Sequence, residues 1–306
     1  MNKSVLLLCA FALVSCTGKN SAPYGEKGKV FCNERYLIPN SGPFDETTIR
    51  VAMHGYLYGV AAALTLQKNN GEGQEHYFAL PSRMSVLEET NIDGTCFSAT
   101  TFAVKPIKPG GRNEIVIAYR GSDDACDWIK TNLNPFPYKK QYKEAVSYAE
   151  RILSTYSTGQ EKVVVTGISL GGGLAVHVAK DAQMKSKIDE VWALNPSPRT
   201  YADSNMDTRI WLAATDTEIL RKTRSPAFFF IPGWGAIIGP ENQMSSNFYL
   251  IRSNSLYGHF RWNIARQMLF VADYGLSDRG RNPAITEPLD ILRASRFAAC
   301  TTIEHH

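Results

Sequence analysis

Ser169 is the residue on which chemistry can be built. It is the centre of Gly167-Ile168-Ser169-Leu170-Gly171, a G-x-S-x-G pattern inside KVVVTGISLGGGLAVHVA, residues 162–179. Val163, Val164 and Val165 predict a buried strand before the serine, and the small residues after it predict a helix. That is the context in which the pattern sets a serine on a sharp turn. Reversing from strand to helix within about one residue strains the central residue and pushes its side chain out at the strand's carboxyl end. Neighbouring backbone then passes so close that only glycine fits at Gly167 and Gly171. Gly172 and Gly173 extend the small-residue zone. The helix also aims free N–H groups and its positive dipole end at the serine, where an oxyanion would develop. A bare G-x-S-x-G is weak evidence, and a Gly-rich loop with a capping serine is the plain alternative. The strand and helix on either side favour a nucleophile.

A neutral serine hydroxyl needs a base to remove its proton, and that base needs a carboxylate to orient it. Asp216 follows the apolar strand pattern RIWLAAT, residues 209–215, and His259 lies in a Gly-containing loop that opens a helix. The order Ser, Asp, His, each on a loop after a later strand, is that of α/β-hydrolases. His177 sits on the helix after the serine and is carried away from it, so packing is its expected role. His54 and His76 precede the serine, His305 and His306 end the chain, and Asp203 and Asp207 fall in a polar loop and read as solvated. An oxyanion hole needs donors from two places. The N–H of Leu170 is one candidate, and Ser122, at the end of an earlier apolar strand, is the other; as a turn cap Ser122 would have no such role.

The elements that must hold these groups follow from periodicity. Phe44 to Gln67 repeats apolar residues at helical steps (Ile49, Met53, Tyr56, Val60, Leu64), with Asp45 as N-cap, and reads as an amphipathic helix closed by the loop at residues 68–73. Within it His54 reads as a packed or surface histidine. Cys96–Lys105 and Asn113–Tyr119 read as strands joined by a run of turn formers. The second is almost wholly apolar, as a strand covered on both faces should be. A helix from Lys139 to Tyr156 leads to the serine strand. Glu190–Asn195 and Arg209–Thr215 read as further strands, Phe228–Ile231 and Asn247–Ile251 as two more, and His259–Tyr274 as a helix. Helices alternating with apolar strands predict an α/β fold of the α/β-hydrolase type, a mostly parallel sheet with helices on both faces.

One block is more specific. IAYRGSDDACDWIKTNL, residues 117–133, resembles the strand–RG(S/T)–DW block of the class 3 lipase family in placement and composition, and precedes the serine turn by one helix as it does there. The resemblance covers Cys96 to Asn195 well and the Asp216 and His259 region more loosely. It implies an α/β-hydrolase fold, carboxylic-ester hydrolysis, Ser169, Asp216 and His259 as a triad, and Ser122 in the oxyanion hole. Ile168 stands where those lipases commonly carry histidine, and the connection after Ser122 is short. Both departures point to an ester hydrolase in general more than to a triacylglycerol lipase. The apolar stretch at residues 225–239 reads either as a lining for an acyl group, a lid or a membrane contact, or as a buried edge strand with a Gly/Pro turn.

At 306 residues, 44% of them hydrophobic, the chain can bury a large core in a single domain. Its net charge of +4 comes from mixed charges without a basic cluster, which gives no case for nucleic acid. Met-Asn-Lys and an apolar run of about 12 residues read as a secretory signal too short to span a membrane. Leu13-Val14-Ser15-Cys16 resembles a bacterial lipobox, so residues 1–16 are expected to be a leader with Cys16 lipidated, residues 17–28 a tether, and residues 29–306 the folded domain. The alternative is ordinary cleavage with Cys16 incidental. Cys32, Cys96, Cys126 and Cys300 remain, either paired in one of three connectivities or free and buried. Their wide spacing matches no compact metal site, and the serine chemistry implies neither metal nor organic cofactor. The expectation is an exported serine hydrolase, tethered to a membrane through its lipid anchor, that cleaves a lipid or acyl ester. A thioesterase or acyltransferase on the same triad, or a hydrolase-like lipoprotein that binds without turnover, remains an alternative.

Overall fold

Side chains along residues 114–119 alternate between two layers. Ile115, Ile117 and Tyr119 enter one buried cluster while Val116 and Ala118 enter another, so this strand must be covered on both sides. The computed structural model describes residues 46–67, 76–121, 140–203, 205, 207–214, 220, 261–279 and 281–297. Its elements are α1 (Glu46–Thr65), β1 (His76–Tyr77), β2 (Met84–Ile92), β3 (Phe97–Val104), β4 (Glu114–Tyr119), α2 (Lys140–Tyr156), β5 (Lys162–Ile168), α3 (Leu170–Lys180), β6 (Glu190–Leu194), β7 (Ile210–Ala213), α4 (Arg261–Leu276), α5 (Glu287–Ala294) and β8 (Arg296–Phe297).

Strands β2 to β7 form one six-stranded sheet in sequential order. β2, β3 and β4 are antiparallel, while β4, β5, β6 and β7 run parallel. Helices α1 and α4 cover one face and α2 and α3 the other. Each fully buried Val or Ile of the central strands contributes on the order of 1.5–3 kcal/mol. The sheet therefore holds its register where a one-residue slip would exchange the two cores. β1 pairs with β8 as a separate ribbon, His76 opposite Phe297.

Helix α1 differs from its expected amphipathic pattern. Besides Ile49, Tyr56 and Val60 it buries Val51, Ala52, Leu57, Tyr58 and Ala61 to Ala63, because it is wedged between the sheet and an antiparallel α4. His54 is exposed on this helix but bonded to the buried Glu190 beneath it. β2 was not expected from the sequence. It is an edge strand of mostly polar or half-exposed residues with a bulge between Val86 and Glu88, so it shows no clean alternation. Nor was the C-terminal helix α5 placed. Thr286 caps it by accepting from the Leu289 N–H at 3.3 Å, and a proline occupies its first turn. Asp207 is not solvated as expected: Arg209 Nε donates to its Oδ1 at 2.9 Å and Nη2 to its Oδ2 at 2.6 Å. Cys96 is an exposed free thiol. The leader, the tether, the loop at residues 68–73 and the strands expected at 228–231 and 247–251 lie outside the described residues.

Candidate active site

Backbone contacts hold the serine turn on three sides. β5 ends at Ile168 and α3 begins at Leu170, which leaves Ser169 alone to reverse the chain, at φ 59° and ψ −121°. A residue with a Cβ seldom occupies this region, and a strained residue persists only where its surroundings over-determine it. Here they do. The Ser169 N–H donates to Leu194 O at 2.9 Å, and its carbonyl accepts from Gly173 N at 3.2 Å and Ser197 N at 2.8 Å. The turn is thus tied to its own helix, to the end of β6 and to the loop after β6.

Glycine is required at both flanking positions. A Cβ on Gly167 would lie 2.3 Å from the Gly171 carbonyl carbon, and one on Gly171 would lie 2.1 Å from Tyr119 O. Strand β5, helix α3 and the end of β4 therefore meet at distances that exclude any side chain. Gly121 completes the crowding: its Cβ would lie 2.6 Å from Ile168 O and 3.4 Å from the Ser169 Cβ. The chain leaving β4 thus passes directly beside the serine. Tyr119 fixes that strand end by donating to Ala145 O at 3.2 Å, and burial raises its pKa well above the ordinary value.

Ser169 is 6% exposed and makes no side-chain cap on α3. Leu170 is the first residue of that helix, so its N–H has no intrahelical acceptor and faces the carboxyl end of the sheet. The last turn of the helix carries His177 and Lys180, which complement the negative end of the dipole. His177 is packed as expected, its Nδ1 2.9 Å from Thr200 O and its ring edge-on to Tyr142. Burial lowers its pKa, although contacts with Thr200, Asp181 and Tyr201 oppose the shift. Of the site residues named from sequence, Ser169 and Leu170 meet at the turn, while Asp216, His259, Ser122 and Cys16 lie outside the described residues. Sequence reasoning missed Asn195 and Ser197. Asn195 takes φ 41° at the end of β6 and hands the chain to Ser197, whose N–H holds the serine carbonyl. The signal for them is the turn-dense Asn195-Pro196-Ser197-Pro198.

Among the described residues no cluster of His, Cys, Asp and Glu could hold a metal, and no helix is long and apolar enough to cross a membrane. The sheet order, the two helical layers and the strand–serine–helix turn define an α/β protein of the α/β-hydrolase fold, with its strained serine at the carboxyl end of a central parallel strand.

Residues 74–188 match the model of a phospholipase-like family, described as a Tle-like phospholipase domain. Over this stretch, which includes Gly121 and Ser169 and ends before Asp216 and His259, the chain is similar to lipase and phospholipase hydrolases. Among solved structures it is similar to the Lip2 lipase of Yarrowia lipolytica, at 14% identity and a TM-score of 0.42 over 74% of this chain and 95% of that one. It is also similar to a lipase from Rhizopus microsporus var. chinensis, at 14% identity and a TM-score of 0.40 over 81% and 97%. A triacylglycerol lipase from Penicillium expansum matches at 14% identity and a TM-score of 0.38 over 59% and 76%. No curated protein sequence matches. At these identities the fold stands on its own strand order and turn.

Proposed function

We propose that the protein is a serine hydrolase of carboxylic esters, with a lipid or other acyl ester as substrate. The observation that carries this reading is the conformation of Ser169, a non-glycine residue held at φ 59° and ψ −121° between a buried strand and a helix N-terminus. No packing role calls for a serine there. A strained residue at the mouth of a sheet is maintained where chemistry needs its side chain presented. The similarity of residues 74–188 to a phospholipase domain supports a lipid ester.

In this mechanism Ser169 Oγ attacks the ester carbonyl carbon and passes its proton to the imidazole of His259, which Asp216 orients. The oxyanion is held by the Leu170 N–H and by Ser122. Collapse breaks the bond to the alcohol, which leaves with the proton from His259, and water then releases the acid from Ser169 by the same relay. No metal or organic cofactor enters any step. The leader and Cys16 are read as an export signal and lipid anchor that bring this site to a membrane; labelled fatty acid incorporated equally by wild type and Cys16→Ser protein would remove that part.

The test is hydrolysis of short- and long-chain p-nitrophenyl esters by the full chain and its Ser169→Ala form, with an active-serine phosphonate as probe. Turnover and labelling should fall at least about a thousandfold in the variant. Undiminished turnover by Ser169→Ala protein sinks the reading. Preference for thioesters over oxyesters would instead select the thioesterase alternative.

A further inference from the structure

The loop after β6 is fastened to two helices, and we infer that its fasteners, Tyr142 and His177, are positioning residues for the oxyanion donor. The inference rests on the hydrolase reading above and deepens the account of the same site.

Peptide geometry makes the link. The Ser169 carbonyl and the Leu170 N–H belong to one planar trans peptide unit, so the two bonds point in opposite directions. Whatever holds the carbonyl therefore aims the N–H. Two donors hold it: Gly173 N at 3.2 Å, the first bond of α3, and Ser197 N at 2.8 Å. The helix bond is the longer, and alone it would let the terminal peptide tilt, because helix ends fray.

Ser197 restrains that unit only if its own loop is held still. The loop runs against the first turn of α3, where glycines make room for it. A Cβ on Gly172 would lie 2.9 Å from the Pro196 Cβ, and one on Gly173 would lie 2.8 Å from Arg199 O. Such contact seats the loop without tying it. The ties are side chains. On α2 the Tyr142 hydroxyl donates to Arg199 O at 2.5 Å, and in the last turn of α3 His177 Nδ1 lies 2.9 Å from Thr200 O. A carbonyl only accepts, so Nδ1 is the protonated nitrogen. The two rings meet edge-on with centroids 5.1 Å apart, and Tyr142 meets the Tyr201 ring in the same way at 4.7 Å. Arg199, Thr200 and Tyr201 are thus gripped in succession just beyond Ser197. Within the loop Ser197 Oγ accepts from the Arg199 N–H at 3.3 Å, which joins the gripped stretch to the residue that holds the serine. Tyr142 is itself buried, and burial holds its pKa far above the ordinary value, which keeps the hydroxyl a donor. Phenylalanine at 142 and leucine at 177 would fill much the same volume. What the polar atoms add is a fixed direction for the loop carbonyls.

The test compares the full chain with its Tyr142→Phe, His177→Leu and His177→Asn forms in p-nitrophenyl ester hydrolysis. The first two should each lose about tenfold in kcat with KM unchanged, because the donor is aimed at charge that develops only in the transition state. His177→Asn, whose amide N–H stands in for Nδ1–H, should recover most of the loss. An alkyl trifluoromethyl ketone reads the oxyanion directly. Ser169 Oγ adds to its carbonyl carbon, the hydroxyl proton passes to His259, and the carbonyl oxygen becomes the anion that Leu170 holds. Its affinity should fall about tenfold in Tyr142→Phe and His177→Leu, in step with kcat. Amide exchange at Ser197, followed by NMR, should quicken in both. A loss confined to KM, or equal losses for His177→Asn and His177→Leu, overturns the assignment. Ser169-dependent turnover with kcat and ketone affinity unaltered in the variants would discard the positioning role alone. Faster Ser197 exchange in the variants, without any Ser169-dependent turnover in wild type, would discard the hydrolase reading alone.

Discussion

The two ends of the parallel strands are built by opposite means. At the amino ends, side chains satisfy one another. Glu190, at the start of β6, accepts from Lys162 Nζ at 2.6 Å and from Trp192 Nε1 at 2.6 Å, and His54 Nε2 lies 2.8 Å from its Oε1. Lys162 also donates to the Tyr58 hydroxyl at 3.0 Å, which in turn donates to Glu114 at 2.8 Å. Trp192 and Trp211 stack beside this network with ring centroids 5.2 Å apart. Arg209 closes the far edge, bonded to Ala179 O at 2.8 Å at the end of α3 and to Ile188 O at 3.0 Å. At the carboxyl ends the glycines admit backbone against backbone, and Ser169 and Asn195 take positive φ. A satisfied buried network favours a single rigid arrangement. A strained turn holds one reactive group in place at the expense of stability. Rigidity at one end of the sheet is what allows strain at the other.

The comparison breaks first at Ser169. Ser169→Gly should cost at least about a thousandfold in ester kcat/KM while raising stability by about 1 kcal/mol, since glycine accepts this conformation without penalty. A lower melting temperature would mean that the serine side chain stabilises the turn and is not strained against it. Next in size are two glycines, one at each end. A Cβ on Gly171 would lie 2.1 Å from Tyr119 O, and one on Gly55 would lie 2.1 Å from the ring of Trp192. Neither a strand carbonyl nor an indole buried in the core can yield. Each alanine variant should lose more than about 3 kcal/mol in urea unfolding, but Gly55→Ala protein that still folds should keep its kcat/KM whereas Gly171→Ala protein should not.

Glu190 tests the amino end alone. Glu190→Gln leaves Lys162 without its charge partner and should cost about 2–3 kcal/mol with catalysis unaltered. Burial opposes ionisation of Glu190, but the His54 and Lys162 bonds and charges outweigh it and hold its pKa below the ordinary 4.5. A depressed carboxyl pKa gives stability that is present above the unfolded value and lost as pH falls through the folded one. Wild-type urea midpoints should therefore drop as pH goes below 4.5, and the Glu190→Gln protein should show a shallower decline. Parallel curves for the two proteins would remove Glu190 from the acid response.

The turn was legible in sequence because its cause is local. Three valines, a serine between glycines and a run of small residues dictate strand, reversal and helix within residues 162–179. The central strands were legible for the same reason, since burial on both faces leaves an unbroken apolar run. β2 was not, because an edge strand that carries Ser85, Glu88, Glu89, Thr90 and Asn91 has the composition of a loop. The Glu190 network was hidden because Glu114, Lys162 and Glu190 are brought together only by strand register, and His54 only by the wedging of α1.

The smallest effect sharpens the comparison most finely. Gly59 lies in the interior of α1 where that helix crosses α4, and a Cβ there would lie 3.1 Å from Met268 Sδ and 3.8 Å from its Cε. Alanine in place of glycine favours a helix interior by about 1 kcal/mol. Against that stands one close contact with a thioether on three rotatable bonds, which can turn aside at little cost. Gly59→Ala should therefore stabilise the protein by a few tenths to about 1 kcal/mol, with ester kcat/KM unchanged. The same chemical change is thus expected to be mild against Met268, severe against Trp192 at Gly55 and severe against the Tyr119 carbonyl at Gly171. A loss above about 1 kcal/mol for Gly59→Ala would show that the α1–α4 seam is as unyielding as the serine turn, and that packing tightness does not distinguish the two regions.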